Sequence, residues 1–342
     1  MKPVFNLVIS FFCTTLVTYA QFTPEKITGH LVRVADPNHP VPGWKDVKVR
    51  DEKGIIRWNR DKVENDEYEP PVLFPGKQPA EHSAPAVKSD QSIITDKMFP
   101  GMDYTQVCPA DPSLAVGDSL IVQMINGGSG AYFTVYRKTS TSSSVNIAVT
   151  QKYLDQITGK GGLGDPVALF DADSAYFILT EFANKNETGS DGLIISVVKE
   201  SRIQQNNSFK SYFFPTSTFP DYPKFGINNG YLYAKTNDFR GNSYAGASAY
   251  VVKLSSLYSG SSAVSMTRIS LGKSNKYYSM CPVNMVGKTK PAFSQGGLFA
   301  YLNPRSWSGL STDQIGLAEL NPVTLTFSDL GSKPISNFSF PA

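Results

Sequence analysis

Val167-Ala-Leu-Phe-Asp-Ala-Asp-Ser-Ala-Tyr-Phe-Ile-Leu179 reads as two apolar strands hinged on a short polar turn, and this stretch decides the fold because the same pattern returns along the chain. It is heard in Leu114-Ala-Val-Gly-Asp-Ser-Leu-Ile-Val-Gln-Met-Ile125, in Phe225-Gly-Ile-Asn-Asn-Gly-Tyr-Leu-Tyr-Ala234 and in Ala292-Phe-Ser-Gln-Gly-Gly-Leu-Phe-Ala-Tyr301. A third strand-like run follows each time: Tyr132–Tyr136, Leu193–Val198, Ala249–Leu254 and Ile315–Leu320. A fourth comes after it: Val145–Val149, Phe209–Phe214, Val264–Ile269 and Leu325–Phe327. Units of four short strands rich in Tyr, Phe, Val and Thr predict an all-β chain built as a β-propeller, with four blades visible and a fifth, or a partial ring, needed for closure. Small residues in the first run of each unit, Ala115, Gly117, Ala168, Gly226 and Ala292, suit strands that crowd about an axis. A sandwich of hairpins is the competing architecture, and it does not require strands in groups of four. No segment carries the pattern of a long helix.

Working outward, composition divides the chain. Residues 21–100 hold 12 Lys/Arg and 13 Asp/Glu, whereas the three-fold longer stretch 101–342 holds only 19 and 16. With Glu69-Pro-Pro-Val-Leu-Phe-Pro-Gly-Lys-Gln-Pro79 inside it, 21–100 reads as an irregular N-terminal arm or pro-segment with a proline-stiffened linker, ahead of a propeller domain at 101–342. Residues 1–20 have the layout of a secretory signal peptide: Lys2, an apolar stretch, and the small-residue exit Thr18-Tyr-Ala20. The apolar run is shorter than a bilayer span. A secreted, soluble protein, extracellular or periplasmic and monomeric, is therefore expected. In that compartment the two remaining cysteines, Cys108 and Cys281, read either as a disulfide or as two separately buried thiols. A net charge of +3 without any long Lys/Arg block gives no reason to invoke nucleic acid or an anionic membrane.

Three motifs then carry a resemblance. Asp111-Pro-Ser-Leu-Ala-Val-Gly117, Gly164-Asp-Pro-Val-Ala-Leu-Phe-Asp171 with Thr180-Glu-Phe182, and Pro220-Asp-Tyr-Pro-Lys224 with Thr236-Asn-Asp-Phe239 are similar to segments of a family of exported, propeller-like microbial proteins of uncharacterised function. The resemblance spans roughly 105–260. It implies fold and export and supplies no reaction. The chain departs from the family pattern at Tyr176-Phe177, where a Trp is usual after the Asp-containing turn.

Chemistry is bounded by what is missing. His30, His39 and His82 all lie in the arm, so a His-based nucleophile system or a His-ligated metal cannot be assembled within 101–342 alone. No Gly-rich phosphate loop opens a helix. What remains is carboxylate chemistry. Asp111, Asp165 and Asp221 stand beside or near a proline at the entrance of a first strand, and in a propeller such positions converge on one mouth of the channel. There they read as turn-capping residues, as ligands for a cation such as Ca²⁺, or as an acid and base toward a glycosidic bond. Lys224 reads as a salt-bridge partner of Asp221 or as the anchor of a ligand carboxylate. Asp171 and Asp173 have calcium-loop spacing, which a plain turn also explains. The five arginines of 101–342 fall at different places in their units, against the arginine cluster of a sialidase-like enzyme. The reading preferred from these residues is an extracellular binding or adhesion module for carbohydrate or protein, with no resident cofactor. The alternative is a carboxylate-dependent glycoside hydrolase or polysaccharide lyase.

Overall fold

The computed structural model describes residues 22–33, 101–102, 105, 107, 109–128, 130–138, 147–204, 208–285 and 296–337. The described residues are all-β, with 58% in strands and 10% in helices. A strand from the charged N-terminal part comes first, β1 (Pro24–Arg33). Four antiparallel meanders follow. The first is β2 (Ser113–Val116), β3 (Leu120–Gly127), β4 (Gly130–Arg137) and β5 (Ile147–Tyr153). The second is β6 (Gly164–Asp171), β7 (Tyr176–Ala183), β8 (Gly192–Lys199) and β9 (Lys210–Pro215). The third is β10 (Phe219–Asn228), β11 (Tyr231–Arg240), β12 (Ser243–Lys253) and β13 (Ala263–Ser270). The fourth is β14 (Cys281–Pro282), β15 (Gly297–Asn303), β16 (Gln314–Leu320) and β17 (Phe327–Pro334). The helices among the described residues are single turns of three to six residues.

The first strands of the meanders lie side by side, β2 against β6, β6 against β10 and β10 against β14. Their small residues follow from that crowding. A Cβ on Gly226 would touch Pro282 and Val283 of the fourth unit, and one on Gly117 would meet Phe177 and the Glu200 carboxylate of the second. Apolar side chains fill the gaps between units. Ala115, Met124, Phe133, Ala168, Phe177 and Leu179 pack the first against the second. Tyr233, Ala249, Ile269, Phe299, Tyr301 and Leu320 pack the third against the fourth. Strands buried on both faces, such as Tyr176–Ala183, are near-continuous apolar runs.

Two expectations need correction. Part of the supposedly irregular arm is an integral strand: β1 inserts between β9 and β13, pairing antiparallel with both. It fuses the second and third units into one nine-stranded sheet whose end strands, β6 and β10, come together in a nearly closed, barrel-like wall. Ile27 of β1 joins the core inside that wall with Phe182, Tyr212, Phe214, Tyr250 and Leu257. The first strand of the fourth unit, expected at Ala292, is instead the short pairing Cys281–Pro282 against Phe299–Ala300. Ala292 lies outside the described residues, as do the signal segment 1–20, the linker and all of 34–100.

Candidate functional site

The entrances of the first strands share one local rule. A proline stands just before or in the first half of β2, β6 and β10 and ends the short β14, at Pro112, Pro166, Pro223 and Pro282, and the residues before them are Asp111, Asp165, Tyr222 and Cys281. In the first three units that residue adopts a left-handed backbone, φ 42° at Asp111, 47° at Asp165 and 51° at Tyr222. Proline fixes its own φ and restricts its predecessor, so the chain turns sharply there: before the β2–β3 ladder in the first unit, and at a register shift within the β6–β7 and β10–β11 ladders in the second and third. A register shift between Asp221 and Lys224 in the β10–β11 ladder accommodates the third case.

These residues sense one another. Burial of the phenol and the nearby Cys281, Asp165, Asp111 and Tyr278 hold Tyr222 above the ordinary tyrosine range, although the residue as a whole is 44% exposed. Burial pushes Asp221 up to about 6; the Tyr222 backbone N–H, Lys235 and Lys224 oppose that shift and Asp111 adds to it. Burial pulls Lys235 down to about 7, with Lys224 acting in the same sense and Cys281, Asp221 and Asp238 against it. Lys235 is fully buried, its Nζ donating to Asn237 Oδ1 at 2.6 Å and to the Tyr278 carbonyl. The result is one rim on which burial draws the Asp221 carboxyl and the Lys235 ammonium toward neutrality and keeps the Tyr222 phenol protonated.

Asn126, at the end of β3 and almost fully buried, ties two of the entrances together. Its Nδ2 donates to Asp111 Oδ2 at 2.8 Å and to the Pro109 carbonyl at 2.9 Å, while its Oδ1 accepts the Asp165 backbone N–H at 2.8 Å. The amide therefore spans the seam between the first and second units and fixes how far apart their two aspartates sit.

Asp111, Asp165, Asp221 and Lys224 are thus brought to the same end of neighbouring strands. The structure changes their roles in two respects. The third counterpart of Asp111 and Asp165 is Tyr222, one residue beyond Asp221. Lys224 forms no ion pair with Asp221: its Nζ lies 3.8 Å from the centre of the Tyr222 ring and donates to the Pro223 carbonyl at 3.3 Å. Asp171 and Asp173 stand elsewhere. Asp171 Oδ1 accepts the Asp173 N–H at 3.1 Å in a local turn, and its Oδ2 accepts the Tyr258 hydroxyl at 2.9 Å, so both oxygens are engaged by the protein. Among the described residues no group of three or more His, Cys, Asp and Glu is arranged to hold a metal. In place of a bridge to Cys108, which lies outside the described residues, Cys281 carries a free thiol directed at the Ser279 carbonyl, 3.6 Å away. Sequence reasoning missed Tyr222, Lys235 and Asn126, and read Cys281 only as a disulfide half or a buried thiol. The available signal was the recurrence of a residue-proline step at 54 to 59 residue intervals, visible at Pro112, Pro166, Pro223 and Pro282.

Among the described residues no helix is long and apolar enough to cross a membrane. No family of known proteins and no curated protein matches the chain. Solved structures resemble it weakly. The α-L-arabinofuranosidase PaAbf62A from Podospora anserina is 10% identical at a TM-score of 0.35, over 65% of this chain and 66% of that one. The catalytic domain of the Coprinopsis cinerea GH62 α-L-arabinofuranosidase is 13% identical at 0.37, over 71% and 77%. The Hadza microbial sialidase Hz136 is 12% identical at 0.38, over 67% and 45%. This chain therefore spans just under two thirds of the Podospora enzyme and under half of the sialidase. Likenesses of this size say nothing about what the chain acts on.

Proposed function

We propose that the four meanders are blades of a β-propeller and that the chain is an exported, carboxylate-dependent hydrolase of glycans, working where Asp111, Asp165 and Asp221 gather. One observation carries the reading: three neighbouring units hold a non-glycine residue in the left-handed region at the same place. Glycine is at ease there, whereas a substituted residue costs on the order of 1 kcal/mol or more. Shape alone is served better by glycine, so the side chains themselves are what the site retains. Strain gathered at one place is characteristic of catalytic sites.

In this reading Asp221, largely protonated below pH 6, donates its proton to the departing glycosidic oxygen. Asp165, with Asp111 beside it, is the partner carboxylate that activates water or stabilises the positive charge developing on the sugar. Asn126 positions that pair. The test measures release of reducing ends from a panel of extracellular polysaccharides and chromogenic glycosides by the wild type, D221N and D165N. Loss of about 100-fold or more in turnover is expected for both variants, with D165N melting as the wild type does and D221N melting no lower than it. Full turnover by D221N removes the reading. Glycan retention that is the same in wild type and D221N, with no bond cleaved, returns the chain to the binding-module class.

A further inference from the structure

The sheet contains an arrangement that stability disfavours. Lys224 on β10 and Lys235 on β11 are directly opposed cross-strand partners. Like charges in that relation destabilise an antiparallel pair. Neither lysine makes an ion pair among the described residues, although Asp111, Asp165 and Asp221 are close enough to influence the same rim. Instead both ammonium groups lie near one ring: Lys224 Nζ is 3.8 Å and Lys235 Nζ 5.3 Å from the centre of Tyr222. Lys235 is locked from behind by Asn237 and the Tyr278 carbonyl. Lys224 is half-buried, and its only side-chain hydrogen bond among the described residues, to its neighbour's carbonyl, leaves ammonium donors unspent. The rim's carboxylates therefore come from all three units, Asp111, Asp165 and Asp221, whereas its two cations both come from the third.

We propose that Lys224, backed by the field of Lys235, receives the carboxylate of an acidic sugar, so that the glycans acted on carry uronic or related sugar acids. This rests on the hydrolase reading for the reaction but not for the binding. An incoming carboxylate supplies the counter-charge that the Lys224–Lys235 pair lacks, and the exposed Tyr222 ring offers the face against which a sugar can lie. Burial and Lys224 together hold Lys235 at about 7, a state that a bound anion reverses by favouring its protonated form.

The experiment is titration of D-galacturonate, D-glucuronate and N-acetylneuraminate, each against its own methyl ester, into the D221N protein and into D221N/K224M, followed by lysine-selective NMR and calorimetry. At least one acid should bind D221N at least tenfold more tightly than its ester, shifting the Lys224 and Lys235 signals, and K224M should abolish that preference. Removal of the like charge should leave K224M at least as resistant to urea as its parent, so lost preference cannot be ascribed to a damaged fold. Equal binding of acid and ester in all three pairs, or a preference that survives K224M, overturns the proposal. Acid preference without turnover of any glycan by the wild type preserves it and removes the hydrolase reading; turnover confined to neutral glycans does the reverse.

Discussion

At the level of single residues, Asp221 and Lys235 give the site opposite signatures in pH. Folding raises Asp221 from 3.8 to about 6, so between those values the folded chain holds the extra proton. The stability this group contributes is complete below about pH 4 and is lost as pH rises through 6. D221N should accordingly be more stable than the wild type by about 1–3 kcal/mol at pH 8 and nearly equal to it at pH 4. Urea unfolding at the two pH values checks this, and the same difference at both contradicts it. Lys235 is lowered from 10.5 to about 7, so there the unfolded chain holds more proton and stability climbs as pH rises from 7 toward 10. In K235M that climb should flatten, as read from wild-type and variant melting temperatures at pH 7 and 10. Asp221 was visible from the motif Pro220-Asp-Tyr-Pro-Lys224. Its elevated proton affinity was not, because desolvation depends on neighbours from other units.

Elements are joined by a few buried polar latches. Glu200, just after β8, accepts the backbone N–H groups of Ser119 at 2.8 Å, Leu120 at 2.9 Å and Asp118 at 3.3 Å, capping the β2–β3 turn of the neighbouring unit. E200Q keeps the shape but weakens the acceptor, and it should lower stability by about 1–3 kcal/mol in denaturant titration. An unchanged midpoint would mean that the latch is idle. The strand assignments themselves were local matters. Leu193–Val198 and Ala249–Leu254 lie almost wholly within observed strands because alternation and turn residues act within a few positions. The fourth unit was misread for the complementary reason. Ala292-Phe293 is as strand-like as any segment, yet the pairing partner of β15 is chosen by contact with Gly226 and Ile227 of β10.

Across the whole molecule, β1 is the piece that closes the wall. Arg268 on β13 reaches Glu25 of β1 at 2.8 Å and Asp238 of β11 at 2.6 Å, and Asp238 also accepts from Thr236 and Ser248. Removal of residues 22–33 exposes the edges of β9 and β13 together and opens this network. A chain lacking those residues should aggregate, as followed by light scattering, and should recover a cooperative melt when a peptide of residues 22–33 is supplied. A monomeric deletion chain with the wild-type melting temperature refutes the closing role. By itself the sequence determined the four-strand units, their order and the approach of Asp111 and Asp165 to strand entrances, since periodicity, prolines and turn residues operate over a handful of positions. Only the tertiary structure decided that β1 pairs with strands some 180 and 240 residues away, that Tyr222 occupies the third entrance, and that Lys224 faces Lys235 rather than Asp221. Those outcomes depend on register, on a one-residue bulge and on burial, and each of these is set by the packing of units against one another.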